Sequence, residues 1–157
     1  MTSCMSDTSK AQCWWALANS YSAAADQLLE NPSGQVFVPL IYLLGHSLEL
    51  NFKAFLISQG APEKKLKSRE FGHDLVACLR ECKKQGLCKH LSLTPPQVRQ
   101  IVKVNRYYQE KHLEYFTATA KRFGSVESFR NIVSQTSRAV FNLITEEDFR
   151  ALSRNET

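Results

Sequence analysis

Val36-Phe37-Val38-Pro39-Leu40-Ile41-Tyr42-Leu43-Leu44-Gly45-His46-Ser47-Leu48-Glu49-Leu50-Asn51-Phe52-Lys53-Ala54-Phe55-Leu56-Ile57-Ser58-Gln59 is the stretch whose reading decides the fold. At about 100° per residue its Leu, Ile, Phe and Ala side chains surround most of a helix, so this segment is expected to be the central, largely buried element. One polar line interrupts the apolar surface: Tyr42, His46, Glu49 and Lys53 project within a sector of about 60°. A solvent-facing strip on a surface helix would produce such a line. The alternative is a line facing a cleft or a partner, with Glu49 and Lys53 satisfied by their i,i+4 ion pair.

Working outward, helical periodicity predicts a first helix over 9–30, with Trp14, Leu17, Ala18, Tyr21, Ala25 and Leu28 on its apolar face. Asn31-Pro32-Ser33-Gly34 ends it, and the central helix over 36–59 is stopped by Gly60 and Pro62. A basic loop over 61–71 follows, carrying Lys64, Lys65, Lys67 and Arg69 with few anchors. Asp74 opens a third helix that Gly86 closes. Thr94-Pro95-Pro96 starts a long fourth helix, expected to reach Arg122, because prolines are tolerated in a first turn that needs no amide hydrogens. Gly124-Ser125 separates it from a fifth helix over 126–144, with Thr145 and Asp148 capping a short terminal turn. The expectation is an all-α, up-and-down bundle of four to five antiparallel helices. It forms one domain over 1–157, with a short flexible N-terminus over 1–8 and a C-terminal tail over 146–157.

Composition agrees with one domain that has its own core: 157 residues, 43% hydrophobic and 22% charged. Six Gly and five Pro supply few tight turns for an all-β sandwich. No run approaches the roughly 18 consecutive apolar residues of a membrane span. The net charge of +5 is concentrated in the middle, with +4 in each of 61–90 and 91–130, compatible with an anionic partner such as RNA. The start, MTSCMSDTSK, lacks the basic and apolar pattern of a secretory signal, so a cytoplasmic protein is expected. The five cysteines then read as mostly buried thiols. Cys78, Cys82, Cys88 and His90 lack the paired C-x2-C knuckles of structural zinc sites, and neither a metal site nor a cofactor is expected.

The segment Gly45-His46-Ser47-Leu48-Glu49-Leu50-Asn51-Phe52-Lys53-Ala54-Phe55-Leu56, then Gly72-His73-Asp74-Leu75, then Arg106 with His112 six residues later, resembles the HEPN superfamily (higher eukaryotes and prokaryotes nucleotide-binding) over about 10–145. The resemblance implies a helical bundle, usually a homodimer, some of whose members are metal-independent endoribonucleases of toxin–antitoxin or phage-defence systems. Others are catalytically silent modules that bind a protein partner, an antitoxin or a nucleotide. Active members carry Arg-x(4 to 6)-His, and Arg106-x5-His112 falls within that spacing. Tyr107 stands where many of them have a polar residue, and His112-Leu113-Glu114-Tyr115 differs from the H-x-Y of members modified on Tyr.

The motif's chemistry is self-consistent. RNA cleavage without metal needs a base for the 2′-hydroxyl, a cation for the charge on phosphorus and an acid for the leaving oxygen. Imidazole serves as base or acid near neutral pH, and guanidinium grips phosphate in a fork. One Arg and one His make half a site, so a second pair across a twofold axis would complete it. Arg106 and His112 are therefore the candidate catalytic residues, with Glu49, Lys53 and Asn105 expected to orient them. On an ideal helix, His112 and Asn105 fall in the middle of the apolar stripe and Arg106 lies about 120° from His112, so the pair meets only if the stripe is a dimer seam or the helix is locally distorted.

Overall fold

The computed structural model describes residues 7–30, 37–68, 71–114 and 121–155, with side chains as far as Glu146. Its described residues contain α1 (Asp7–Glu30), α2 (Phe37–Ser58), α3 (Glu63–Leu66), α4 (Leu75–Lys84), α5 (Pro95–Gln109) and α6 (Val126–Asn155), with a single 3-10 turn at Leu87–Lys89 and no strand. The all-α helical-bundle expectation holds at that level.

Helix α2 is the hub. Every residue from Ser47 to Ile57 is buried, and α1, α4, α5 and α6 all pack against it. By length and mean hydropathy (1.3) α2 could cross a membrane, yet 83% of its most apolar window is enclosed by the rest of the protein, as befits a core helix. Its principal neighbours are α1 and α6, and α4 and α5 touch it over smaller areas. Tyr21 meets His46 on α2, and Trp14, a turn and more nearer the start of α1, meets Glu63 in α3 just beyond the end of α2, so α1 and α2 run antiparallel. Trp15 meets Ser137 while Asp26 meets Arg130, which makes α1 and α6 antiparallel as well. Helices α5 and α6 also oppose each other, with Gln97 against Gln135 and Gln100 against Ser128.

The seam of α1 differs from the expected stripe. Ala11, Ala18 and Ala25, seven residues apart, are fully buried, whereas Leu17 is exposed. Small side chains on one line let two helices approach closely, and that contact, rather than side-chain size, selects the buried face.

Four further boundaries depart from the sequence reading. Residues 1–6 lie outside the described residues, and α1 already includes Asp7 within the stretch expected to be flexible. The stretch over 61–71 is not a bare loop. It contains α3, buries Leu66 and Phe71, and is anchored by the Trp14 Nε1 bond to Glu63 (3.0 Å) and by Lys65 over the Phe71 ring; Arg69 lies outside the described residues. At the other end, α6 continues through the expected tail to Asn155. Thr145 does not cap a new helix there, because its hydroxyl bonds back to the Phe141 carbonyl within α6.

The fourth difference concerns the motif itself. Helix α5 starts as expected, with the Thr94 amide bonded to the Gln97 side chain (2.8 Å) and Pro95 in the first turn, but it stops at Gln109 instead of reaching Arg122. Lys111 adopts φ +59°, its amide bonds to Tyr108 O (3.1 Å), and the His112 amide bonds to Tyr107 O (2.8 Å). This is a Schellman stop with a lysine in the left-handed position that glycine usually fills. No Gly or Asn marks the stop in the sequence, so periodicity alone carries the helix onward.

Candidate functional site

Glu49 is the centre of the polar cluster. It lies on α2 in the middle of the core, its side chain only 3% exposed, and a buried carboxylate must find donors on every side. One turn along, Lys53 donates to its Oε1 (2.5 Å) and also to the Gly72 carbonyl (3.2 Å). From α5, the Tyr108 hydroxyl donates to Oε2 (2.5 Å). From the corner before α4, His73 Nδ1 donates to the same oxygen (3.1 Å). His46 Nδ1 lies 2.8 Å from the Tyr108 oxygen and 3.6 Å from Oε2. The polar line on α2 is thus directed inward at Glu49 and Lys53, toward the 72–74 corner and α5, rather than being a solvent strip.

Proton accounting fixes more than the distances do. A carboxylate only accepts, so His73 must present Nδ1–H to Glu49. Tyr108 has one hydrogen and gives it to Glu49, so His46 must present Nδ1–H to the Tyr108 oxygen. In the neutral form of either ring the free lone pair is therefore on Nε2. Burial pushes the Glu49 carboxyl up, but the adjacent His46 ring, the Lys53 charge and the bonds from Lys53 and Tyr108 outweigh it and bring it down to about 2. Tyr108 is pushed far up by burial, by the Glu49 charge and by its bond to that carboxylate, so it stays a phenol.

Local sequence explains how the pieces arrive. Gly45 leaves room for the Tyr108 ring on α2: a Cβ there would stand 3.1 Å from ring carbon Cδ2. Asp74 caps α4 by accepting from the amides of Val76 and Ala77 (3.0 and 2.9 Å). Asn105 then clamps that corner to α5, accepting from the Leu75 amide (2.7 Å) and donating to Asp74 (3.1 Å). Through these bonds Asn105 sets the position of the adjacent His73.

Arg106 and His112 occupy a different environment. Arg106 is exposed on the last turn of α5, while His112 follows the helix stop with a 36% exposed side chain, its Nε2 3.4 Å from Glu110 and its ring 6.5 Å from that of Tyr107. His112 is therefore neither on the α5 stripe nor enclosed in a core, because the stop at Lys111 removes it from the helical register. The described bonds of Glu49, Lys53 and Asn105 run to one another's neighbours and to the 72–75 corner rather than to Arg106 or His112.

The site residues that sequence reasoning did not single out are His73 and Tyr108. In the sequence His73 stands out only within the Gly72-His73-Asp74-Leu75 segment, with no role assigned to it, and Tyr108 is one of several aromatic residues on the fourth helix. The available signal was the inward polar line on α2, since a buried Glu with one Lys still has acceptor capacity that facing elements must fill.

Cys78 and Cys82 are buried, and burial raises both thiols, Cys78 to about 12; Cys88 is exposed. Among the described residues these cysteines form no cluster suited to a metal, whereas His46, Glu49 and His73 do, with one ligand atom from each within 4.8 Å of the others. Comparison of the chain with protein-family models, with curated proteins and with solved structures gives no match.

Proposed function

We propose that the chain is a HEPN-like bundle that acts as a homodimer on RNA, cleaving it without an added divalent metal through Arg106 and His112. Solvent access carries the reading. Arg106 is exposed and the His112 imidazole is more than a third open, so an RNA phosphate can reach both without disturbing the core. The guanidinium holds the scissile phosphate, the imidazole transfers the proton, and the twofold mate supplies the second pair. The +4 charge of residues 91–130 favours a polyanion near this turn.

A second reading rests on its own observation. Glu49, Lys53 and Asn105 are bonded into the core network, which leaves the Arg106–His112 turn without the orienting residues a catalytic pair requires. On that reading the protein is a silent HEPN-like module that binds a partner protein, an antitoxin or a nucleotide. One experiment separates the two. Purified protein, Arg106→Ala and His112→Ala are incubated with mixed RNA without added divalent metal, while sedimentation reports the assembly state. Cleavage by the wild type alone, from a dimer, supports the nuclease. Intact RNA, or equal cleavage by the variants, returns the chain to the interaction module.

A further inference from the structure

The core network contains a geometry that RNA cleavage by Arg106 and His112 does not use. Three atoms from α2, the corner before α4 and α5 converge around Glu49 Oε2: His46 Nδ1 at 3.6 Å, His73 Nδ1 at 3.1 Å and Tyr108 Oη at 2.5 Å, with His46 Nδ1 and Tyr108 Oη 2.8 Å apart. A tetrahedral zinc ion with ligand bonds of about 2.0–2.1 Å separates its ligand atoms by about 3.3 Å. These four of the six edges lie within about 1 Å of that value, and the His46, Glu49 and His73 ligand atoms all lie within 4.8 Å of one another, so closing on an ion takes a small inward movement of the rings.

We propose that His46, Glu49 and His73 bind a zinc ion, with Tyr108 Oη at the fourth corner. Two imidazoles and one carboxylate are a donor set that suits zinc. Each imidazole binds in its neutral form, with its hydrogen on Nε2 and the Nδ1 lone pair presented to the metal. Tyr108 ligates as the phenolate and gives its one proton to solvent, as ligands do when a metal binds.

The surroundings fit this occupant. Lys53 holds Glu49 Oε1, so the carboxylate offers Oε2 alone and in a fixed direction, the kind of outer support that tunes a ligand. Asn105 and Asp74 hold the corner that carries His73. The side chain of His73 is 36% exposed and that of His46 18%, which gives the ion an entry path from solvent. Bound there, the metal joins α2, the corner before α4 and α5 at one point. Its role is to fix the bundle, separate from any chemistry at Arg106 and His112.

The test uses the full chain, stripped by dialysis against a chelator and titrated with Zn2+ in competition with a chromophoric chelator, and with Co2+ as a visible probe. The expected result is one ion per chain, a four-coordinate cobalt spectrum without a thiolate charge-transfer band, and a higher melting temperature with zinc. His73→Ala and His46→Ala, each confirmed as folded by circular dichroism, should bind at least tenfold more weakly and lose the zinc-dependent melting shift. His90→Ala should bind like the wild type. Wild-type affinity no greater than that of His73→Ala overturns the proposal. So does a thiolate band that disappears when Cys13 and Cys88 are replaced, since it assigns the metal to the exposed thiols. These readouts do not depend on whether the protein cleaves RNA.

Discussion

Helix α5 shows two opposite uses of polar side chains within one turn. Asn105 and Tyr108 face inward and are bonded on every side, one to the Leu75 amide and Asp74, the other to Glu49 and His46. Arg106 between them faces solvent, and His112 follows just past the helix stop. Buried polar groups carry a heavy penalty unless partnered, so the inward set is locked by the fold. The outward set carries no such constraint and remains open to a ligand. Resemblance to a motif weights Arg106 and His112, whereas the energetics of the fold weight Glu49 and its neighbours. The two regions should respond to mutation in opposite ways.

The largest expected effect comes from Glu49→Ala. It leaves the Lys53 ammonium buried without its counter-charge and should lower stability by about 3–5 kcal/mol in denaturant titrations. The double variant Glu49→Leu/Lys53→Met should recover most of that loss. Equal losses in the single and double variants would show that the ion pair is not what holds this region.

Acid should have an effect of similar kind. The folded Glu49 carboxyl, at about 2, lies below its ordinary value of 4.5, so its stabilisation is complete above about 4.5 and lost as pH falls toward 2. In the metal-free protein that contribution is on the order of 3 kcal/mol. Glu49→Gln should therefore show a flatter melting profile between those limits than the wild type. Parallel profiles would mean that other carboxyls govern the acid response.

Asn105→Ala should cost about 1–3 kcal/mol, since it leaves the buried Leu75 amide without an acceptor. Hydrogen exchange should show the 72–75 corner opening before α5 does. Protection unchanged at Leu75 would disconnect Asn105 from the site. The sign reverses at the helix stop. Lys111→Gly removes a side chain from a left-handed position and should stabilise the protein by about 1 kcal/mol, read as a higher melting temperature.

Arg106→Ala and His112→Ala should have the smallest effect on stability, within about 0.5 kcal/mol, as for surface positions generally. If the nuclease reading is right, the same two substitutions lower RNA cleavage by about 10² to 10⁴. A His112→Ala variant as unstable as Glu49→Ala would erase the distinction between the two regions.

Several features were legible without coordinates. The apolar wrap of α2 identified the hub, the i,i+4 spacing of Glu49 and Lys53 identified the ion pair, and Asp74, Thr94 and Gly86 marked helix ends where they occur. These are local properties, fixed by periodicity and by the side chains next to each terminus. Where α5 ends was not legible, because Lys111 takes a conformation that its residue type does not announce. The buried face of α1 was not legible either, since alanines win that seam only when a second helix lies against them.

The sequence by itself determined an all-helical chain, its central helix and the five-residue spacing between Arg106 and His112. Only the tertiary structure decided that His73 and Tyr108 join His46 and Lys53 around Glu49, and that Arg106 and His112 stand outside that network. The physical reason is that a helix period specifies which side chains share a face. Which donors complete a buried carboxylate depends instead on contacts 24 and 59 residues away along the chain, and no local pattern encodes them.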